Sequence, residues 1–338
     1  MTYEEVLENA KKTMSPKCKV CPECNGIACK GQVPGVGGVK SGRAFTVCRD
    51  FLKSVYVNMD TIHEEKEIDT SIEFLGHKFD VPFFIAPIGG MAFNYTNYLD
   101  ESEYSKAVVF GARACNTLAF TGDGPDDSFF PATLPIIKEA DGIAISTIKP
   151  WEYDKVMHHV RKLEECGAIG FAMDVDSAAL VNLKLMGKPV TTKSVDEYKK
   201  ITSATKLPLI IKGIMTAKSA LKCADAGAYG IIVSTHGGRV LEDTPAPCSV
   251  VSEIREAVGD RIRILVDGGI RSGSDVFKAI ALGADGVLIG RPYAIAAHGG
   301  KQEGVEIYTR KIADELREIM MMTDCASLKD ITRDKIRF

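Results

Sequence analysis

From Val81 onward, apolar and polar positions fall into a repeating order. Short, continuous apolar runs alternate with longer segments whose apolar residues return at helical spacing. A continuous apolar run suits a strand buried on both faces, and a helix after it carries the chain back to begin a parallel neighbour. Eight such strands are predicted: Phe83–Pro87, Thr117–Thr121, Gly142–Thr147, Ile169–Val175, Leu207–Lys212, Gly230–Ser234, Ile262–Val266 and Gly286–Ile289. Helical patterns fill the gaps, among them Ser102–Cys115, Tyr153–Cys166, Ala217–Ala226 and Ser274–Leu282, and Gly304–Met321 closes the series. Eight βα units over about 250 residues predict an α/β protein whose residues 76–338 form a (β/α)8 barrel.

Residues 1–75 lack this rhythm and read as an N-terminal extension. They hold a short amphipathic helix, a run of cysteines, the glycine-rich VPGVGGVKSG, and Phe51–Thr61 with extended character. The PGVGG stretch does not follow a strand, so it reads as a loop and not as a dinucleotide site.

Composition narrows the function. At 338 residues, 45% apolar and 26% charged, the chain is an ordinary globular protein. A formal net charge of -3, with no basic stripe, argues against nucleic acid as a partner. No apolar run approaches the roughly 20 residues that span a bilayer. The charged N-terminus, MTYEEVLENAKKTM, has no apolar signal core, so a cytoplasmic location is expected.

Barrel chemistry sits where strands end. The sixth strand runs into Ser234, Thr235 and His236, then two glycines and Arg239. An imidazole changes charge near neutral pH and serves as a base, while a guanidinium grips a carboxylate through two parallel hydrogen bonds. Asp176, beyond the fourth strand, is placed to orient His236 and stabilise its protonated form. Lys212 ends the fifth strand, where a fixed cation offsets negative charge on a cofactor or enolate. After strands seven and eight come DGGIRSG (Asp267, Gly268, Gly269, Arg271) and IGRP (Gly290, Arg291). Bare backbone amides with an arginine nearby make a phosphate cradle.

Four of the ten cysteines, Cys18, Cys21, Cys24 and Cys29, follow C-x2-C-x2-C-x4-C, with Cys48 a candidate further ligand. The spacing is close to bacterial iron–sulfur runs without matching them. Zinc, an iron–sulfur cluster, a redox disulfide and free thiols all remain open.

These motifs together resemble the FMN-dependent α-hydroxy acid oxidases and dehydrogenases, the group of glycolate and lactate oxidases. The likeness is strongest over Leu207–Thr332, through LPLIIKGIMTAKSAL, GIIVSTHGGRVLEDTPA, VDGGIRSGSDVFKAIALGADGVLIGRP and CASLKDIT, and weaker through VPFFIAPIGG and FAMDVD. The resemblance implies an FMN whose phosphate lies on Gly268, Gly269, Arg271, Gly290 and Arg291. Its ring would rest beside Ala86, Pro87 and Ile88, with Thr121 where the family has serine and with Ser234 and Asp267 nearby. It implies Lys212 beside flavin N1–O2, His236 as base, Asp176 as its partner and Arg239 as the carboxylate clamp. The reaction implied is oxidation of a small 2-hydroxy acid to the 2-oxo acid, with hydride passing to flavin N5 and an electron acceptor left open. Homo-oligomers are common in such a family.

The departures concern the substrate. The family's N-terminal tyrosine has no counterpart, its Gln-x-Tyr after strand three is replaced by STIKP around Ser146 and Ile148, and Asp174 stands in place of a threonine. SAALVNLKL replaces the run that carries a second arginine. Two rival readings keep the barrel: an FMN-dependent isomerase of the type 2 isopentenyl diphosphate isomerase kind, and a non-catalytic flavin or metal electron carrier.

Overall fold

A computed structural model describes residues 1–338. Its central sheet contains β1 (Phe83–Ile85), β2 (Phe120–Thr121), β3 (Ile145–Ile148), β4 (Phe171–Asp174), β5 (Leu209–Ile214), β6 (Gly230–Val233), β7 (Arg263–Asp267) and β8 (Gly286–Ile289). All neighbours from β2 to β8 pair in parallel and in chain order, and β8 pairs with β1. A single bridge, Ile85 to Ala119, and the Ile85 amide on the Leu118 carbonyl at 2.9 Å join β1 to β2 and close the ring. The predicted (β/α)8 barrel is therefore present, strand for strand.

The alternation of side chains along each strand separates two cores. Phe84, Phe120, Ile145, Ala172, Ile210, Ile232, Leu265 and Leu288 fill the barrel interior. A two-stranded ribbon, Ile72–Phe74 with His77–Phe79, plugs one end by setting Phe74 and Phe79 against Phe84. The larger core lies between the strands and the surrounding helices. With one end plugged, the other end, where the strands finish, is left for chemistry.

The extension is fastened to this body by helices that the sequence only partly reveals. Helix α1 (Tyr3–Met14) starts with a Thr2/Glu5 capping box and buries Val6, Ala10 and Met14, one turn apart. It lies on helix α3 (Arg291–Met321), where a side-chain carbon at Gly299 would come within 2.0 Å of the Val6 carbonyl oxygen. Between them in sequence, α2 (Arg43–Ser54) buries Ala44, Phe45, Cys48, Arg49 and Leu52. Phe51–Ser54 is thus helical and not extended, because the apolar stripe of α2 continues through Leu52. Only Tyr56–Val57 is a strand, paired with Ile336–Arg337. The closing helix is also longer than predicted: α3 begins at Arg291 and breaks at Gly300 and Lys301 before continuing.

Candidate active site

A cavity of about 140 Å³ opens at the C-terminal ends of the strands. Its wall carries Ala86, Pro87, Ile88, Lys212, His236, Arg239, Asp267, Gly268, Gly269, Arg271, Gly290 and Arg291, so the fold gathers nearly every residue expected there. Asp176 stands directly behind His236. Thr121 and Ser234 are fully buried at the ends of their strands, just beneath the wall.

The loop after β6 turns sharply. His236, Gly237 and Gly238 all have positive φ, 54°, 64° and 76°, and the Ser234 hydroxyl accepts the His236 amide at 3.0 Å. Left-handed backbone at a histidine is uncommon and here aims the ring at the cavity. His236 Nδ1 lies 2.9 Å from Asp176 Oδ1 and 3.9 Å from Asp174 Oδ2. Asp176 comes from a single turn of 3-10 helix after β4, and it fits because Gly213 follows Lys212: a side-chain carbon there would sit 2.7 Å from Asp176 Cβ. Burial opposes the Asp176 charge, but His236 and then Lys212 outweigh it and hold the carboxyl below the usual aspartate range.

Lys212 is only 3% exposed. Its ammonium donates to Ser234 Oγ at 2.8 Å and lies 3.3 Å from Asp267 Oδ2. Burial works against this charge, yet Asp267, Asp176 and Asp174 together raise its pKa. The cavity floor therefore holds a permanent cation.

The loops after β7 and β8 have the geometry of an anion cradle. Gly268 and Gly269 take φ of 95° and 86°, and a side-chain carbon on Gly269 would lie 2.7 Å from the Cys48 carbonyl oxygen. From below, Arg49 bonds the Gly269 carbonyl and pairs with Asp275 at 2.7 Å, fixing the turn. Asp267 Oδ1 and the Thr121 hydroxyl are buried without partners, and the apolar wall of Ala86, Pro87, Ile88, Leu288 and Ile289 lies on the same cavity. A flat ring with polar edges and a phosphate tail fits this combination of apolar wall, unpaired polar atoms, glycine turns and cations.

The three arginines are more engaged than the sequence suggests. Arg239 donates to the carbonyls of Gly35 and Gly37 and, at 2.7 Å, to Asn94 Oδ1. Arg291 donates to Val36, Gly37 and Gly237 carbonyls at 2.6, 3.1 and 3.0 Å. Arg271 reaches the Cys24 carbonyl at 2.9 Å. The glycine-rich loop thus packs behind two arginines of the cavity wall, pinned further by the Val39 amide on the Gly238 carbonyl at 2.8 Å. A guanidinium has five N–H donors, so each keeps capacity for an anion. Burial, then Arg291, presses the Arg239 guanidinium down to about 10, so a site holding two such cations favours an incoming negative charge.

Several residues of the site escaped the sequence reading. Lys149, the residue after Ile148, pairs with Asp174, and both are buried. Its signal was weak, since the strand before it, ISTI, is half polar. Asp174, Asp176 and His236 offer ligand atoms within 4.8 Å of one another, but Lys149 already supplies the cation there. Asp123 accepts the Trp151 indole N–H at 2.7 Å and the Lys149 amide at 3.0 Å, and burial raises its pKa. Asn94, closing a short helix (Met91–Asn94) after β1, takes donors from Arg239, Asn182 and Gly35 on one oxygen, and nothing in its local sequence marked it. Cys48 lines the barrel cavity, which the other four cysteines do not. It is carried by α2 to the wall beside Gly268, donates to the Ala44 carbonyl, and is pushed by burial to about 12.

A plugged (β/α)8 barrel with glycine turns beside cations, a buried lysine and a histidine–carboxylate pair at its mouth has the make-up of an enzyme that takes an anionic cofactor. The FMN-dependent dehydrogenase family model matches residues 36–184 and 149–338, and the chain belongs to that family. A peroxisomal (S)-2-hydroxyacid oxidase, GLO3 of Arabidopsis thaliana, is 31% identical over 308 residues, covering 80% of this chain and 82% of the relative. The L-lactate oxidase of a Roseobacter species (strain GAI101) is 41% identical over 148 residues, 44% of this chain and 40% of that one. Among solved structures, mandelate oxidase with 3,3-difluoro-2-hydroxy-3-phenylpropionic acid superposes with a TM-score of 0.81 at 24% identity, over 99% of this chain and 98% of that one. A mandelate oxidase variant with a monooxide FMN adduct gives 0.76 at 27% identity, over 89% and 93%. The protein is an FMN-dependent oxidoreductase acting on CH–OH groups. No helix is long and apolar enough to cross a membrane.

Proposed function

We propose that the cavity oxidises a small 2-hydroxy acid to its 2-oxo acid, with His236 as base and Arg239 as the carboxylate clamp. The observation that carries the reading is the placement of His236, backed by Asp176, on one cavity wall with Arg239. Arg239 holds the carboxylate through its remaining donors and orients the hydroxyl toward His236. The imidazole then takes the hydroxyl proton, and Asp176 stabilises the imidazolium that forms. Gly268, Gly269, Arg271, Gly290 and Arg291 are placed to hold the FMN phosphate, with Lys212 and Asp267 on the same wall. When bound there, FMN supplies a two-electron acceptor for the hydrogen on the substrate carbon. Lys212 keeps the floor positive as negative charge accumulates.

A diphosphate isomerase has no need of a carboxylate clamp beside a base, so the Arg239 and His236 pair favours acid oxidation over that rival. A panel of 2-hydroxy acids added anaerobically to the FMN-loaded protein tests the reading: bleaching of the flavin by at least one supports it, and bleaching by none rejects it. A cytoplasmic location and self-association belong to the same reading and are checked by cell fractionation and sedimentation.

A further inference from the structure

Four cysteines far from the base converge on a second cavity. Cys18, Cys21, Cys24 and Cys29 all line it, and none forms a disulfide. The space is about 40 Å³, several times the roughly 10–15 Å³ that one water needs. The thiols gather without crowding, for no three of their sulfurs lie within 4.8 Å of one another. A single tetrahedral zinc, with each sulfur about 2.3 Å away, would draw all four to within about 4 Å. A polynuclear iron–sulfur core places its metals at separate corners and accepts thiolates set wider apart.

The surroundings suit an anionic cluster. The Val20 amide donates to Cys18 Sγ at 3.4 Å, and Val20 takes φ of 45°, a strained setting for a β-branched residue. Arg271 Nη2 donates to Cys24 Sγ at 3.7 Å. N–H donors on thiolate sulfurs are what fixes and tunes such centres. Lys17, Lys19 and Arg291 add positive charge around the same space. Arg291 and Tyr95 also line the barrel cavity, so they are shared walls between the two. Arg271 likewise lines the barrel cavity and bonds Cys24 directly.

We propose that Cys18, Cys21, Cys24 and Cys29 bind an iron–sulfur cluster that relays electrons from the FMN site to a soluble one-electron carrier protein. The relay rests on the acid-oxidation reading; the cluster itself does not. Oxidation of one hydroxy acid releases two electrons and two protons. The cluster changes by one electron at a time, so each turnover sends two electrons through it in succession to two carrier molecules, and the protons leave to solvent.

The test uses full-length protein purified without oxygen. Iron and acid-labile sulfide are measured against flavin, and electron paramagnetic resonance spectra are recorded after dithionite. The expected result is more than one iron per chain with matching sulfide, and a reduced-cluster signal. Cys21→Ser and Cys24→Ser should lose iron, sulfide and signal while keeping FMN, which shows that the barrel is intact. Stoichiometric zinc, iron without sulfide, no metal, or iron unchanged in the serine variants overturns the site. For the relay, anaerobic addition of an acid that bleaches the flavin should raise the same signal in the wild type and none in Cys21→Ser. Flavin bleaching with no cluster signal removes the relay. Failure of every acid to bleach flavin defeats the proposed reaction, while the iron, sulfide and dithionite results still decide the site.

Discussion

Asp176 Oδ1 and His236 Nδ1 meet at 2.9 Å although sixty positions separate them along the chain. The contact fixes which imidazole nitrogen is left for substrate, because Nδ1 is held by the carboxylate and Nε2 is not. Replacing His236 with Ala should lower kcat/KM for the acid by on the order of 100- to 10,000-fold. Flavin content should stay unchanged, as read by absorbance of the purified variant.

Asp176 also makes a prediction about pH. Its carboxyl is held below the ordinary aspartate range in the folded protein, so its contribution to stability is complete above the unfolded value of about 3.9 and disappears as pH falls through the folded one. Asp176→Asn should cost roughly 2 kcal/mol at neutral pH, with the difference from wild type shrinking in acid. Denaturant melts across a pH series check this. A difference that stays constant down to the acid limb contradicts it.

Arg239→Met should raise KM for a 2-hydroxy acid by about 100-fold, the loss expected of a two-pronged charged hydrogen bond worth roughly 3 kcal/mol. Arg239→Lys should recover part of that, since charge returns without the planar fork. Steady-state kinetics with an artificial electron acceptor separates KM from kcat.

Gly269→Ala adds a carbon 2.7 Å from the Cys48 carbonyl at a residue with φ of 86°. Left-handed backbone at an L-residue costs roughly 1–2 kcal/mol, so FMN binding should weaken by about tenfold. Quenching of flavin fluorescence on titration with apoprotein measures it.

Lys149 and Asp174 form a buried pair at the cavity wall. Lys149→Met takes the nearest cation from a buried carboxylate and should cost about 3–5 kcal/mol, whereas Lys149→Met with Asp174→Met should recover most of it. Chemical denaturation of the single and double variants completes the cycle.

The barrel was legible because most strands are continuous apolar runs whose ends carry the polar residues, as in IIVSTHGGR and LPLIIKG. The same logic points to Lys212, one step beyond an apolar run, and to His236, three beyond Val233, whereas Lys149 follows a half-polar strand, ISTI, and carries a weaker signal. What stayed hidden lies in contacts between distant segments. No local pattern announces that Arg239 faces the carbonyls of Gly35 and Gly37, or that Asn94 joins Arg239 to Asn182. Helix α2 was obscured for a different reason: its core-facing residues include Arg49, whose charge breaks the apolar stripe but is matched by Asp275.

Because Arg291 grips Val36 and Gly37 while Arg239 grips Gly35, the backing of two cavity arginines is inherited from chain that precedes every barrel strand. A chimera that grafts these eight strands onto another leader would keep its scaffold and lose the carbonyls that hold Arg239 and Arg291 in place. The aim of the two cavity guanidiniums is therefore open to change from the first forty residues, with no alteration to the barrel at all.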